Sequence, residues 1–203
     1  ILATSDSNVA VDNLLDGLQW HGIEVVRAGR PKSIRQDLHG FSLDVMMREG
    51  GGGRFNDGGM SRAGMKIAKQ RLQSAEVICA TCIGSGSDML SQVRFHTVLI
   101  DECTQATETA VLVPIAQGCQ QLILVGDHCQ LPPTVLSEEA QRRGLAVSLF
   151  SRFAAQGVRP VLLDTQVRAR HITLSSHSHC ERNFCATPHA YDDTCTAAFQ
   201  LIA

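Results

Sequence analysis

Two short apolar runs, each ended by an acid, constrain this chain more than anything else in it. "TVLIDE" (97–102) places Asp101 and Glu102 directly after residues suited to a buried strand, and "QLILVGD" (121–127) ends its own run in Asp127. Short, continuous apolar runs rich in Val, Ile and Leu read as strands buried on both faces. "EVICATC" (76–82) and "RPVLLD" (159–164) read the same way, and "IEVVRAG" (23–29) is a shorter candidate.

Helical patterns lie between them. "SNVAVDNLLDGLQW" (7–20) spaces Val11, Leu14, Leu15 and Leu18 along one helical face, with Ser7 or Asn8 as the N-cap. Residues 33–48 are weakly helical, and "EGGGGRFNDGG" (49–59) interrupts regular structure as a flexible surface insertion. Helical spacing resumes over 61–75, 105–117 and 138–156. Strands alternating with helices predict an α/β domain with a parallel sheet covered on both faces. Ligands of such sheets gather beyond the carboxyl ends of the strands. Asp101, Glu102 and Asp127 therefore read as a chemical site: of two adjacent acids, one can hold Mg²⁺ while the other polarises an attacking water.

Composition narrows the classes. A net charge of -2 and 4% aromatic residues leave no basic surface and no platform of stacking rings, so any nucleic-acid contact needs a local groove. Cys79, Cys82, Cys103, Cys119 and Cys129 lie in or beside strand-like segments, as small core hydrophobes of a reducing compartment do. Cys79-x-x-Cys82 has no second pair, and His177, His179, Cys180, Cys185, His189 and Cys195 fit no paired zinc spacing. The basic side chains of 66–71 read as a solvated helix face. No apolar run is long enough to span a bilayer, and no signal peptide is visible.

"LIDECTQATE" (99–108) followed by "LILVGDHCQLPPT" (122–134) resembles the motor core of superfamily 1 helicases, and within it the up-frameshift group that serves nonsense-mediated mRNA decay. The likeness extends upstream through "SNVAVDNLL" (7–15) and "VICATCIGSG" (77–86), and downstream through 144–168. It implies a RecA-like, three-layer α/β domain of the P-loop NTPase type that uses ATP and Mg²⁺ on single-stranded RNA or DNA, RNA favoured. By position, Asp101 matches the Mg²⁺ ligand, Glu102 the catalytic base, and Gln105 a residue ordering the site. Asp127 and Gln130 match the motif that senses the γ-phosphate, and Arg168 an arginine that reaches it. Ser7, Asn8, Thr81 and Gly84 match positions on the single-strand-binding face. Location in the cytoplasm or nucleus follows from the same likeness.

The chain departs from the family in two places. It has no G-x-x-x-x-G-K-[ST] phosphate loop: its only lysines are Lys32, Lys66 and Lys69, none preceded by glycine. The family pattern puts that loop upstream of Ile1, so the chain reads as a fragment that alone binds ATP weakly. At "TQVRAR" (165–170) Gln166 and Arg168 remain, but Val167 stands where the family has tyrosine, and the likeness then stops. The expected organisation is a partial first motor domain over 1–168 and a divergent tail over 169–203 that fits no place on the sheet, with the second RecA-like domain missing. The alternatives are a non-catalytic, truncated or degenerate nucleic-acid-binding remnant, and a DNA helicase of the same superfamily.

Overall fold

The computed structural model describes residues 1–49, 62–127, 130–163 and 196–202. The glycine-rich run from Gly50, as well as Gln166, Arg168 and the His- and Cys-rich stretch 177–195, lie outside the described residues. The strands are β1 (Leu2–Ser5), β2 (Val25–Arg27), β3 (Val77–Thr81), β4 (Thr97–Ile100), β5 (Gln121–Gly126), β6 (Val161–Leu163) and β7 (Thr196–Ile202). The α-helices are α1 (Asn8–Trp20), α2 (Leu43–Glu49), α3 (Arg62–Ser74), α4 (Glu108–Ile115), α5 (Glu138–Arg142) and α6 (Leu149–Ala155). The strands form one sheet in the order β2-β3-β1-β4-β5-β7-β6.

Every pairing from β2 across to β5 is parallel, as the continuous apolar runs predict. The sequence reading passed over β1, which is wholly buried at the centre between β3 and β4. Its signal is only "LATS", directly ahead of the α1 cap. β7 also departs from expectation: part of the tail does join the sheet, running antiparallel to β5 on one side and β6 on the other.

Strand alternation divides the core into layers. Leu2, Ile78, Ala80, Val98, Ile100, Leu122 and Leu124 face one way and pack with Val111 of α4 and Leu149 and Phe150 of α6. Ala3, Val25, Val77 and Cys79 face the other way, against Val11 and Leu15 of α1. At roughly 1.5–3 kcal/mol for each buried aliphatic side chain, these two faces hold α1 and α4 against opposite sides of the sheet. The second layer is incomplete: Leu99, Ile123 and Val125, on the α1 side of β4 and β5, are only half-buried.

Caps explain where the helices begin. Ser7 Oγ accepts from Ala10 N at 3.1 Å, settling the cap on Ser7 and making Asn8 the first helical residue. Thr107 does the same for α4, so the pattern over 105–117 shortens to Glu108–Ile115. The pattern over 138–156 splits into two helices, because Gly144 turns back with φ +92 and Ser148 caps a new start.

Candidate nucleotide-hydrolysis and single-strand site

The register of the central strands aligns their carboxyl ends. Ser5 of β1 stands level with Thr81 of β3, Thr4 with Ile100 of β4, and Ile100 with Leu124 of β5. Three loops therefore leave one edge side by side, Thr81–Gly84, Ser5–Asn8 and Asp101–Gln105, next to the end of β5 at Asp127, to which Gln130 N donates at 3.3 Å. The sequence-predicted positions within the described residues fall in these loops and at that strand end. Arg168 lies outside the described residues.

The acidic loop is tightly held. Asp101 N donates to Thr4 O at 2.8 Å and Cys103 N to Val125 O at 2.9 Å, tying it to both neighbouring strands. Glu102 between them has φ 52, the one non-glycine residue with positive φ among those described. Such a conformation is uncommon outside Asn, Asp and Gly, and it marks the residue as constrained by its surroundings. Gly126 allows the fit, since an added Cβ would lie 3.0 Å from Thr104 Cγ2 and 3.2 Å from Cys103 Sγ.

Burial and like charge set the electrostatics of these carboxylates. Burial pushes the Asp101 carboxyl above its ordinary range, partly offset by the Glu102 backbone N–H. Burial also raises Glu102, and the charges of Asp101 and Asp127 push the same way; the Gln105 amide, donating to Glu102 Oε2 at 3.2 Å, pulls it back. Among the described residues neither acid forms a salt bridge. Beside them Gln130 Nε2 donates to Asp127 Oδ2 at 3.0 Å, on a carboxylate only 4% exposed.

A cavity of about 200 Å³ joins this loop to the start of α1. Ser5, Asp6, Ser7, Glu102, Gln105 and Thr134 are among the residues lining it. Ser5 Oγ is buried there without a hydrogen-bond partner, as is Thr104 Oγ1 nearby in sequence. Sequence reasoning missed Ser5, Asp6 and Thr134; the first two follow from β1, whose unassigned strand would have pointed to them. The oxygen donor set fits a small hard dication held by one or two carboxylates. No group of three or more His, Cys, Asp or Glu converges as a metal cage among the described residues.

The neighbouring loop is folded tightly on itself. Thr81 Oγ1 accepts from Gly84 N at 3.0 Å, and a Cβ on Gly84 would stand 2.6 Å from that oxygen. Ser7 and Asn8 are exposed, one strand away. Cys79 and Cys82 are buried in the core, where desolvation lifts their thiols to about 12 and about 11 and keeps them protonated.

A family model described as an AAA domain matches residues 57–138. The chain is 37% identical over 189 residues to the regulator of nonsense transcripts 1 homolog of Arabidopsis thaliana, covering 83% of this chain and 15% of that relative. It is 36% identical over 187 residues to the Drosophila melanogaster homolog, covering 83% of this chain and 16% of the relative. Against the ATP-dependent helicase NAM7 of Saccharomyces cerevisiae it is 37% identical over 186 residues, covering 83% of this chain and 19% of the relative. The chain thus spans less than a fifth of each of these proteins. With this identity over 83% of its length and a matching family model, the chain belongs to the up-frameshift group of superfamily 1 helicases.

Proposed function

We propose that the chain supplies the water-activating side and part of the strand-holding side of a helicase motor domain that hydrolyses ATP and moves on single-stranded RNA in nonsense-mediated mRNA decay. The observation that carries this reading is the cavity lined together by Glu102, Gln105 and Ser7, which supports hydrolysis and strand grip sharing one edge. Residues 1–168 are the motor portion and 169–203 a divergent tail. A second RecA-like domain would be the partner, and the cytoplasm or nucleus the setting.

Asp101 would hold Mg²⁺, which when bound neutralises charge developing on the transferred phosphoryl group. Glu102 accepts the proton of the attacking water and Gln105 orients its carboxylate, at the 3.2 Å contact. Gln130, fixed to Asp127, would report the state of the γ-phosphate; the family resemblance gives Arg168 a part in the same contact. Ser7, Asn8, Thr81 and Gly84 offer small polar groups and backbone amides, which suit a sugar-phosphate backbone better than base edges.

The test is single-strand binding by the chain, across a salt series, alongside ATPase activity of the motor completed with a phosphate loop and second domain. Affinity that falls with salt, and RNA-stimulated turnover, are expected. No binding and no turnover would overturn the reading. Binding without turnover in the completed motor would favour the non-catalytic remnant. Preference for DNA over RNA would favour a DNA helicase of the same superfamily.

A further inference from the structure

Arg27, the last residue of β2, is the bulkiest fully buried side chain described and is 0% exposed. A buried guanidinium costs several kcal/mol unless it is fully paired, and a well-packed apolar residue would often be no less stable. Its partners therefore bear on what the charge does there. Nε donates to Asp12 Oδ1 at 3.0 Å, Nη1 to Ala28 O at 2.7 Å, and Nη2 to Asn8 Oδ1 at 2.9 Å. The second oxygen of Asp12 accepts from Arg35 N at 2.9 Å, so the carboxylate that anchors Arg27 is itself fixed. Gly29 leaves room, since a Cβ there would lie 3.1 Å from Nη1.

The consequence falls on Asn8. A guanidinium carries donors only, so the amide atom facing it has to be the oxygen. The amide nitrogen, with its two N–H groups, is thereby directed away from Arg27 at an exposed residue. Ser7 Oγ already accepts from Ala10 N, which leaves its own proton to donate. The two exposed side chains at the start of α1 thus offer donors, and the ligand class that matches is an acceptor-only anion.

We propose that Arg27 is a positioning residue that locks the Asn8 amide as an outward donor to a phosphodiester oxygen of a single strand, making this edge a reader of backbone rather than of bases. The proposal rests on the single-strand reading above and deepens it. Arg27 touches no nucleic acid itself; it acts through Asn8.

The test measures affinity of the full chain for oligo(U) and oligo(dT) by fluorescence anisotropy, with thermal unfolding of each variant. Asn8→Asp keeps an acceptor for Arg27 but removes the donor, so folding should be unimpaired while affinity falls at least tenfold. Arg27→Lys should weaken binding several-fold in the native background and add nothing in an Asn8→Ala background, because a positioning effect disappears with its target whereas a loss of fold does not. Full affinity in Asn8→Asp, or an equal Arg27→Lys loss in both backgrounds, would overturn the proposal alone. No binding by the unaltered chain to either oligonucleotide would overturn it together with the single-strand reading.

Discussion

The Gln105 side-chain amide donates to Glu102 Oε2 at 3.2 Å, and its backbone N–H donates to the Glu102 carbonyl at 3.0 Å. One residue thus holds both ends of a glutamate whose backbone sits at positive φ. That double hold fixes where the carboxylate stands, and the amide is the one group tempering its raised pKa.

Glu102→Gln removes the base but keeps the shape. In a completed motor, turnover should fall by about 10²–10⁴-fold with ATP binding retained. Steady-state ATPase rates and nucleotide titration check this, and undiminished turnover would remove Glu102 from the role.

Glu102 works as a base only when ionised, and its pKa lies above the ordinary glutamate value. The acid limb of kcat/KM should therefore fall at a higher pH than an unperturbed glutamate would give. Gln105→Ala deletes the hydrogen bond that lowers this pKa, so the limb should move further up. A pH–rate profile of the two proteins measures the direction; a shift downward contradicts the assigned cause.

Asp101 carries a raised pKa in the fold, so the folded state holds its proton more tightly than the unfolded chain. Its contribution to stability is then most favourable below the unfolded pKa, and it is lost as pH rises through the folded one. Asp101→Asn should leave stability unchanged at the acid end and raise it at neutral pH, where the native carboxyl would otherwise have to ionise in a partly desolvated place. Urea unfolding at both pH values tests the sign.

Gly84→Ala forces a Cβ to within 2.6 Å of Thr81 Oγ1. The loop must shift or the hydroxyl must leave Gly84 N, at about 1–3 kcal/mol. Thr81→Ala removes the colliding oxygen, so the double variant should recover most of the stability lost by Gly84→Ala. Thermal unfolding of the two single variants and the pair reads this directly; no recovery would mean that the clash lies elsewhere.

Much of this was legible in the chain. β3, β4 and β5 announce themselves because strands buried between layers need uninterrupted apolar residues, and the acids that follow them have to emerge at the strand ends. The α1 cap was legible to within one residue, since Ser7 and Asn8 are both good caps and only geometry separates them. β1 was not, because a strand of four residues has no period to detect. β7 was not either: Thr196–Ile202 earns its place by pairing with strands distant in the chain, and nothing local records that.

The sequence by itself determined the layer pattern, the acids Asp101, Glu102 and Asp127 at strand ends, and the family to which they belong, because apolar periodicity and ordered motifs are local properties. Tertiary structure alone decided which loops lie beside one another, through the register of β3, β1, β4 and β5. It alone decided that Arg27 is enclosed with Asp12 and Asn8, with β3 and β1 standing between its strand and β4, which carries Asp101 and Glu102 at its end. The physical reason is that pairing and burial of charge are settled by contacts between residues far apart in the chain. Nothing local to "VVRAG" shows that its arginine is enclosed; only the helix packed over it does that.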